Sequence, residues 1–331
     1  MEHEISRRFN DHILDQTKQR FGINSNSINA LDGFESFIYE YEKDGAEYIL
    51  RIGHSRRRSP NLIHAEVDWI NYLANGGAGV AKAILSQNGE LVEAIGDGED
   101  GQFLATAFVK AQGDNPHTMG LWDETLFVQY GRLLGRIHKL SKDYQPSNPN
   151  WKRLTWNDAQ ALTVLEQLPE EKETAVRKQY NNLMSHLNQL PMDEDSYGMI
   201  HQDAHAGNFF VDENYNITLF DFDDAVFGHF IYDIAMVMFY AITNHPTPEE
   251  QLATLWPRFM QGYKKENELD PSWYAEILPY MKLREIDLYA VLIDTFGYGE
   301  SGHPWIDTFM NGRQDKIAQE KPYVNFEFTL D

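Results

Sequence analysis

Read for hydrophobic and polar positions, this chain of 331 residues changes character about a third of the way along. Between Leu31 and Arg51 two short aromatic-rich runs, FIYEY and YILRI, flank Lys43-Asp44-Gly45, and alternation around an Asp-Gly pair predicts a β-hairpin. After a polar stretch to Pro60, Ile63, Val67, Ile70 and Leu73 recur at helical spacing and stop at Asn75-Gly76-Gly77, which predicts one helix. Strand-like runs return over 80–110 as AKAILS, ELVEAI and QFLATAFV, broken by Asn88-Gly89 and by an acidic turn from Gly96 to Gly101. Beyond Gly113 the period becomes helical. Leu126, Tyr130, Leu133, Leu134, Ile137 and Leu140 share one face over 122–142, and similar patterns fill about 157–190, 230–243, 248–266 and 272–294. Only 198–224 interrupts them, where FFV and ITLF read as two short strands joined by a turn around 212–216. The expectation is an α+β protein: a small antiparallel sheet with one helix over 1–108, then a larger, mainly helical part over 109–331.

Composition narrows the class. Hydrophobic residues make up 42% and charged residues 24%, the balance of an ordinary folded chain, which argues against wholesale disorder. The start, MEHEISRRFNDH, is charged and lacks an apolar leader, and no later run is long enough to cross a bilayer, so a cytoplasmic protein without membrane contact is expected. There is no cysteine, which removes disulfides, thiolate metal sites and cysteine nucleophiles. The net charge of −23 would repel a phosphate backbone, so no nucleic-acid partner is expected; Arg56-Arg57-Arg58, the one basic run, reads as solvated surface.

Polar chemistry concentrates in the 198–224 segment, as His201-x-Asp203-x4-Asn208 followed beyond the short hairpin by Asp221-Phe222-Asp223. Phosphoryl transfer needs an oxygen acceptor for the attacking hydroxyl and hard oxygen ligands for the magnesium on the nucleotide phosphates. Asp203, Asn208 and Asp221 are the residue types for those tasks, and a strand-turn-strand before Asp221 can return it to the side of Asn208. Four fixed identities, each on the order of 5% of a chain, coincide about once in 10^5 start positions, so chance is a poor account of the match.

The stretch HQDAHAGNFFV…ITLFDFDDAVFG…YDIA resembles the aminoglycoside and choline kinase-like phosphotransferases, small-molecule relatives of protein kinases. The family loop His-x-Asp-x-His-x-x-Asn is matched by His201, Asp203, His205 and Asn208, its metal-binding Asp by Asp221 and its structural Asp by Asp233, and the likeness runs from about residue 20 to residue 300. It implies a protein-kinase-like two-lobed fold, a nucleotide lobe before a catalytic lobe, ATP or GTP with Mg2+ as cofactors, Asp203 as catalytic base, and Asn208 and Asp221 as metal ligands. Asp223 in the third place of the Asp-Phe-Gly-like triplet implies no activation switch of the protein-kinase kind.

By the same resemblance the nucleotide would be met by Gly33 and Ser36 in LDGFESFIYEY, by Arg51 in the place of the phosphate-pairing Lys, and by Glu66 as its ion partner. Backbone groups near Thr106 to Phe108 would meet adenine. The acceptor would be a small hydroxylated molecule of aminoglycoside, amino-alcohol, homoserine or sugar type, handled by a monomer or homodimer. Acids and aromatics over 228–305 suit a cationic acceptor, against the plainer reading of EIDLYAVLIDTF as an amphipathic helix with a solvated acidic face. Three other readings stay open: an inactive nucleotide-binding module, a protein Ser/Thr kinase, and a hydrolase using His201, Asp203 and His205 as a metal cluster.

Overall fold

Asp44 and Gly45 both take left-handed backbone, with φ of 54° and 77°, the two-residue turn whose twist suits a hairpin. In the computed structural model, which describes residues 3–24, 28–33, 35–158 and 164–330, this turn joins two strands of the order α1 (His3–Arg8), α2 (Asp11–Phe21), β1 (Ile28–Leu31), β2 (Phe37–Lys43), β3 (Ala46–His54), α3 (Pro60–Asn75), β4 (Ala83–Ile84), β5 (Glu93–Gly96) and β6 (Gln102–Val109). There follow α4 (Glu124–Lys142), α5 (Val164–Gln167), α6 (Glu170–Leu187), β7 (Tyr197–Ile200), β8 (Phe209–Val211), β9 (Ile217–Leu219), β10 (Val226–His229), α7 (Phe230–Ile242), α8 (Pro248–Tyr263), α9 (Ile277–Phe296), α10 (Pro304–Met310) and α11 (Arg313–Ala318). They form two units. The first takes the described residues through Asp114 with Tyr144–Arg153 and Phe209–Asp223; the second takes Asn115–Asp143, Leu154–Asn208 and the described residues from Asp224.

In the first unit the antiparallel sheet has the order β1-β2-β3-β6-β4, with β5 also on β6. Leu50, Ile52, Phe103, Ala105 and Ala107 put their side chains into a core closed by Ile13 and Phe21 of α2. The two helices ahead of β1 add to the expected single helix. The Asn10 side chain caps α2 by accepting from the His12 and Ile13 amides, and Arg8 of α1 reaches Asp97 and Asp100 beyond β5. Ser59 caps α3 and Pro60 fills its first turn. The hairpin β8–β9 belongs to this unit and is joined to it by a parallel bridge between Val80 and Leu219.

The second unit packs α4 against α8, and α7 against α8 and α9. In α7 every residue but Tyr240 is buried, which is why its sequence, Asp233 apart, is apolar on all sides. Where α4 crosses α8, a Cβ on Gly131 would lie 1.9 Å from the Phe259 carbonyl oxygen, and one on Gly262 would lie 1.9 Å from that of Val128. The helices meet backbone to backbone because each offers a glycine there. β7 and β10 pair as a two-stranded ribbon that the sequence pattern did not announce. Among the described residues no helix is long and apolar enough to cross a membrane.

Gly262→Ala should therefore force α4 and α8 apart and lower stability by about 1–3 kcal/mol, read as an earlier midpoint in denaturant unfolding; an unchanged midpoint would show that the crossing tolerates a methyl group.

Candidate active site

The second unit carries the loop that leaves β7. Asp233, buried in the first turn of α7, accepts the His201 amide on Oδ2 at 3.0 Å and the Gln202 amide on Oδ1 at 2.7 Å. His138 of α4 stands 3.2 Å from the same Oδ2. Gln202 is held in left-handed backbone, φ 69°, a conformation that a non-glycine residue keeps only when its surroundings hold it there. The buried His201 ring accepts the Asp203 amide on Nδ1 at 3.3 Å, and Tyr130 of α4 donates to the Ala204 carbonyl. Asp233 and His201 thus brace the loop.

The loop presents Asp203 with both carboxylate oxygens engaged. Oδ1 receives Nη2 of Arg284 from α9 at 2.7 Å; Oδ2 receives the Asn208 side-chain amide at 3.3 Å and lies 3.4 Å from His205 Nε2. His205 Nδ1 accepts the Gly207 amide at 2.9 Å, so a neutral His205 carries its proton on Nε2 and donates to Asp203. Burial alone pushes the Asp203 carboxyl up, but Arg284, followed by His205 and His201, reverses this and holds it well below the usual carboxylate range. Asn208 also donates to the Asp203 carbonyl at 2.8 Å.

Arg284 had no counterpart in the sequence reading, and α9 departs from the solvated acidic helix expected there. Glu285 is buried between Arg313 Nη1 at 2.8 Å and Lys282 Nζ at 2.7 Å. Asp287 is partly buried, and burial, opposed by Arg284, pushes its carboxyl up to about 7. Arg284 also bonds the Tyr240 hydroxyl through Nε at 2.9 Å. A helix pattern cannot reveal that one long basic side chain on an acidic face points inward.

In the first unit Arg51 and Glu66 form a two-pronged pair, Nη1 to Oε1 at 2.7 Å and Nη2 to Oε2 at 2.8 Å, with Glu66 fully buried. Burial pulls the Arg51 guanidinium down, and Glu66, with Asp223 and Asp221, more than reverses it. Arg57 and Arg58, expected to be solvated, instead pair with Asp223 at 2.9 and 3.4 Å, and Arg57 also pairs with Glu35. Burial raises the Asp223 carboxyl, and Arg51, Arg58, Arg57 and Arg153 together lower it below its ordinary value. Arg51, Arg57, Arg58, Asp223 and Ser36 line one small cavity. A Cβ on Gly33 would lie 2.2 Å from the Ser36 carbonyl oxygen, so the single glycine of that segment allows a close approach. Thr106 and Phe108 lie within β6, in register with Arg51 and Ile49 of β3, and the Arg51 guanidinium stands 5.2 Å from the Phe108 ring centre. Asp221 follows β9 in left-handed backbone, φ 62°.

Among the described residues no three His, Cys, Asp or Glu side chains converge as a metal-binding group. The His201, Asp203, His205 cluster of the hydrolase reading therefore lacks its geometry, since these rings bond the loop backbone and Asp203. A magnesium ion carried by nucleotide phosphates asks the protein for only one or two oxygen ligands, and Asn208 and Asp221 are of that kind.

The model of the phosphotransferase enzyme family matches residues 28–276. Amicoumacin kinase of Bacillus subtilis (strain 168) is 35% identical over 323 residues, 96% of this chain and 95% of that protein. A solved amicoumacin kinase in complex with AMP-PNP, Ca2+ and Ami superposes with a TM-score of 0.93 at 32% identity, covering 99% of each chain. A microcompartment-associated aminopropanol kinase has the same fold, with a TM-score of 0.73 at 20% identity over 94% of this chain and 97% of the other.

Asp287 makes stability depend on pH. Its folded carboxyl titrates near 7 and its unfolded one near 4, so the native state loses stability as pH rises between those values. Asp287→Asn should remove that loss. The melting temperature of the variant, measured against the parent, should gain by several degrees between pH 5 and pH 8, on the order of 2 kcal/mol; a difference independent of pH would contradict this.

Proposed function

The chain belongs to the phosphotransferase enzyme family, and from that premise we propose that it transfers the γ-phosphoryl group of ATP to a hydroxyl of amicoumacin. The enzyme is a small-molecule kinase. One observation carries the choice of acceptor: the likeness to amicoumacin kinases extends over 96% of this chain in sequence and 99% in structure, whereas the aminopropanol kinase shares the fold at 20% identity.

In this reading Asp203 receives the hydrogen bond of the acceptor hydroxyl and aims its oxygen in line with the γ-phosphorus. Its low proton affinity, set chiefly against burial by Arg284, suits an orienting acceptor that takes the proton late, as a loose phosphoryl-transfer transition state allows. Arg284 is the positioning residue: by holding Oδ1 and Tyr240 it fixes the plane of the carboxylate. Arg51, fixed by Glu66 on both terminal nitrogens, keeps a second N–H on each for the nontransferable phosphates. Gly33 and Ser36 belong to the phosphate loop of this proposal, and the end of β6 at Thr106 to Phe108 is its adenine edge. Asn208 and Asp221 would hold magnesium, which supplies charge neutralisation at the phosphate oxygens when bound.

Incubation with labelled ATP, magnesium and a panel of amicoumacin A, aminoglycosides, 1-amino-2-propanol, choline and homoserine should label amicoumacin A most efficiently. Labelling another acceptor in preference, or a protein alone, would refute the assignment. Asp203→Ala should lower turnover by on the order of 10^2-fold or more while nucleotide binding changes little; near-parental turnover would remove Asp203 from the chemistry. Asp221→Ala should raise the magnesium concentration needed for half-maximal rate as well as lowering the rate, and an unshifted magnesium curve would count against its role as a ligand.

A further inference from the structure

Between α4 and α5, the segment Tyr144–Arg153 lies with the first unit, although the chain on either side of it belongs to the second. It runs along one stripe of α3, in the direction opposite to the helix. His64, Asp68 and Tyr72 recur at four-residue spacing and so share a face. The Tyr144 ring stands 5.1 Å from that of Tyr72, and its hydroxyl donates to Asp68 Oδ2 at 2.7 Å. The Ser147 amide donates to the same oxygen at 3.1 Å, and the Ser147 hydroxyl donates to Asp68 Oδ1. Trp151 lies flat on His64, with ring centres 4.8 Å apart and 3° between the planes. Arg153 then donates through Nη1 to the Leu62 carbonyl at 3.1 Å and through Nη2 to the Asp223 carbonyl. The segment is stiff in itself: Pro146 and Pro149 fix their φ angles, and Asn148 accepts the Asn150 amide on its side chain and the Trp151 amide on its carbonyl, each at 2.9 Å.

Glu66 is two residues from both His64 and Asp68, about 200° around the helix, so the segment grips the side of α3 opposite to the carboxylate that fixes Arg51. A helix held at Tyr72, Asp68, His64 and Leu62 in turn cannot rotate or slide without breaking those contacts. We propose that Tyr144–Arg153 is a permanent strap that sets the rotation and position of α3, with Asp68 and Arg153 as positioning residues that act on Arg51 through Glu66. The inference rests on the phosphotransferase reading only for what Arg51 then does, which is to meet nucleotide phosphates. Asp68 is the centre of the device, because its two oxygens take three hydrogen bonds from the strap, and hydrogen bonds to an ionised acceptor are the strong ones. The pair of Arg51 and Glu66 is thereby assembled before a nucleotide arrives, so binding does not have to bear the ordering of α3.

The test pairs hydrogen exchange of the α3 amides with calorimetry of magnesium AMP-PNP binding, on the full-length parent, Asp68→Ala, Glu66→Gln and the double variant. Asp68→Ala should speed exchange across α3 by about tenfold or more and weaken AMP-PNP by about 3- to 30-fold, the worth of one or two lost hydrogen bonds. In the Glu66→Gln background the same change should weaken AMP-PNP no further, because the strap acts through Glu66; a general loss of stability would add instead. Tyr144→Phe, which takes only the hydroxyl away from Asp68, should move both readouts the same way by less, and it serves if Asp68→Ala does not fold. Lys152→Ala, an exposed change on the strap, should move neither. Unchanged α3 exchange in the folded variants of Asp68 and Tyr144, or affinity losses that add to that of Glu66→Gln, overturns the strap. A parent that binds no AMP-PNP, while those variants still loosen α3, upholds the strap and defeats only the nucleotide reading.

Discussion

A single carboxylate at the head of α7 sets the path of the loop that leaves β7. With its two oxygens on the amides of His201 and Gln202, Asp233 holds Gln202 in a backbone region that its own side chain disfavours. The next residue, Asp203, then emerges at the right place to meet Arg284. Because Asp233 is completely buried, its bonds are not diluted by water, and the helix that carries it is anchored on nearly every face. Loop geometry is in this way inherited from the core.

For a chain with a net charge of −23, the placement of arginine is the scarce resource. Inward-facing arginines are assigned to buried or half-buried carboxylates: Arg51 to Glu66, Arg57 and Arg58 to Asp223, Arg284 to Asp203. At Asp203 and Asp223 they hold the carboxyl below its ordinary range against burial, which raises it. Surface acidity and interior neutralisation are separate matters, and only the first is visible in a net-charge count.

Legibility in the sequence followed the range of the physics involved. The Asp44-Gly45 hairpin, α3, α4, α7 and α8 are local patterns, and they stand where periodicity and turn chemistry put them. The Arg51–Glu66 pair was expected from the family likeness and is present as a two-pronged bond. The ribbon of β7 and β10 escaped because two four-residue strands far apart in the chain carry no period of their own. Arg284, Arg57 and Arg58 escaped for a different reason: whether a long basic side chain turns inward depends on partners 81 and 166 residues distant. In α2 the signal was available, since Asn10 followed by Ile13, Thr17 and Phe21 is a capped helical stripe.

That one side chain of α9, Arg284, holds both Asp203 and Tyr240 has an evolutionary corollary. Any drift at Arg284 that reshapes the space near Tyr240 also resets the proton affinity of Asp203, so under the proposed function a lineage cannot retune its choice of molecule there while leaving its turnover alone. Divergence of acceptor range should therefore accumulate on neighbouring helices first, with Arg284 among the last positions to change.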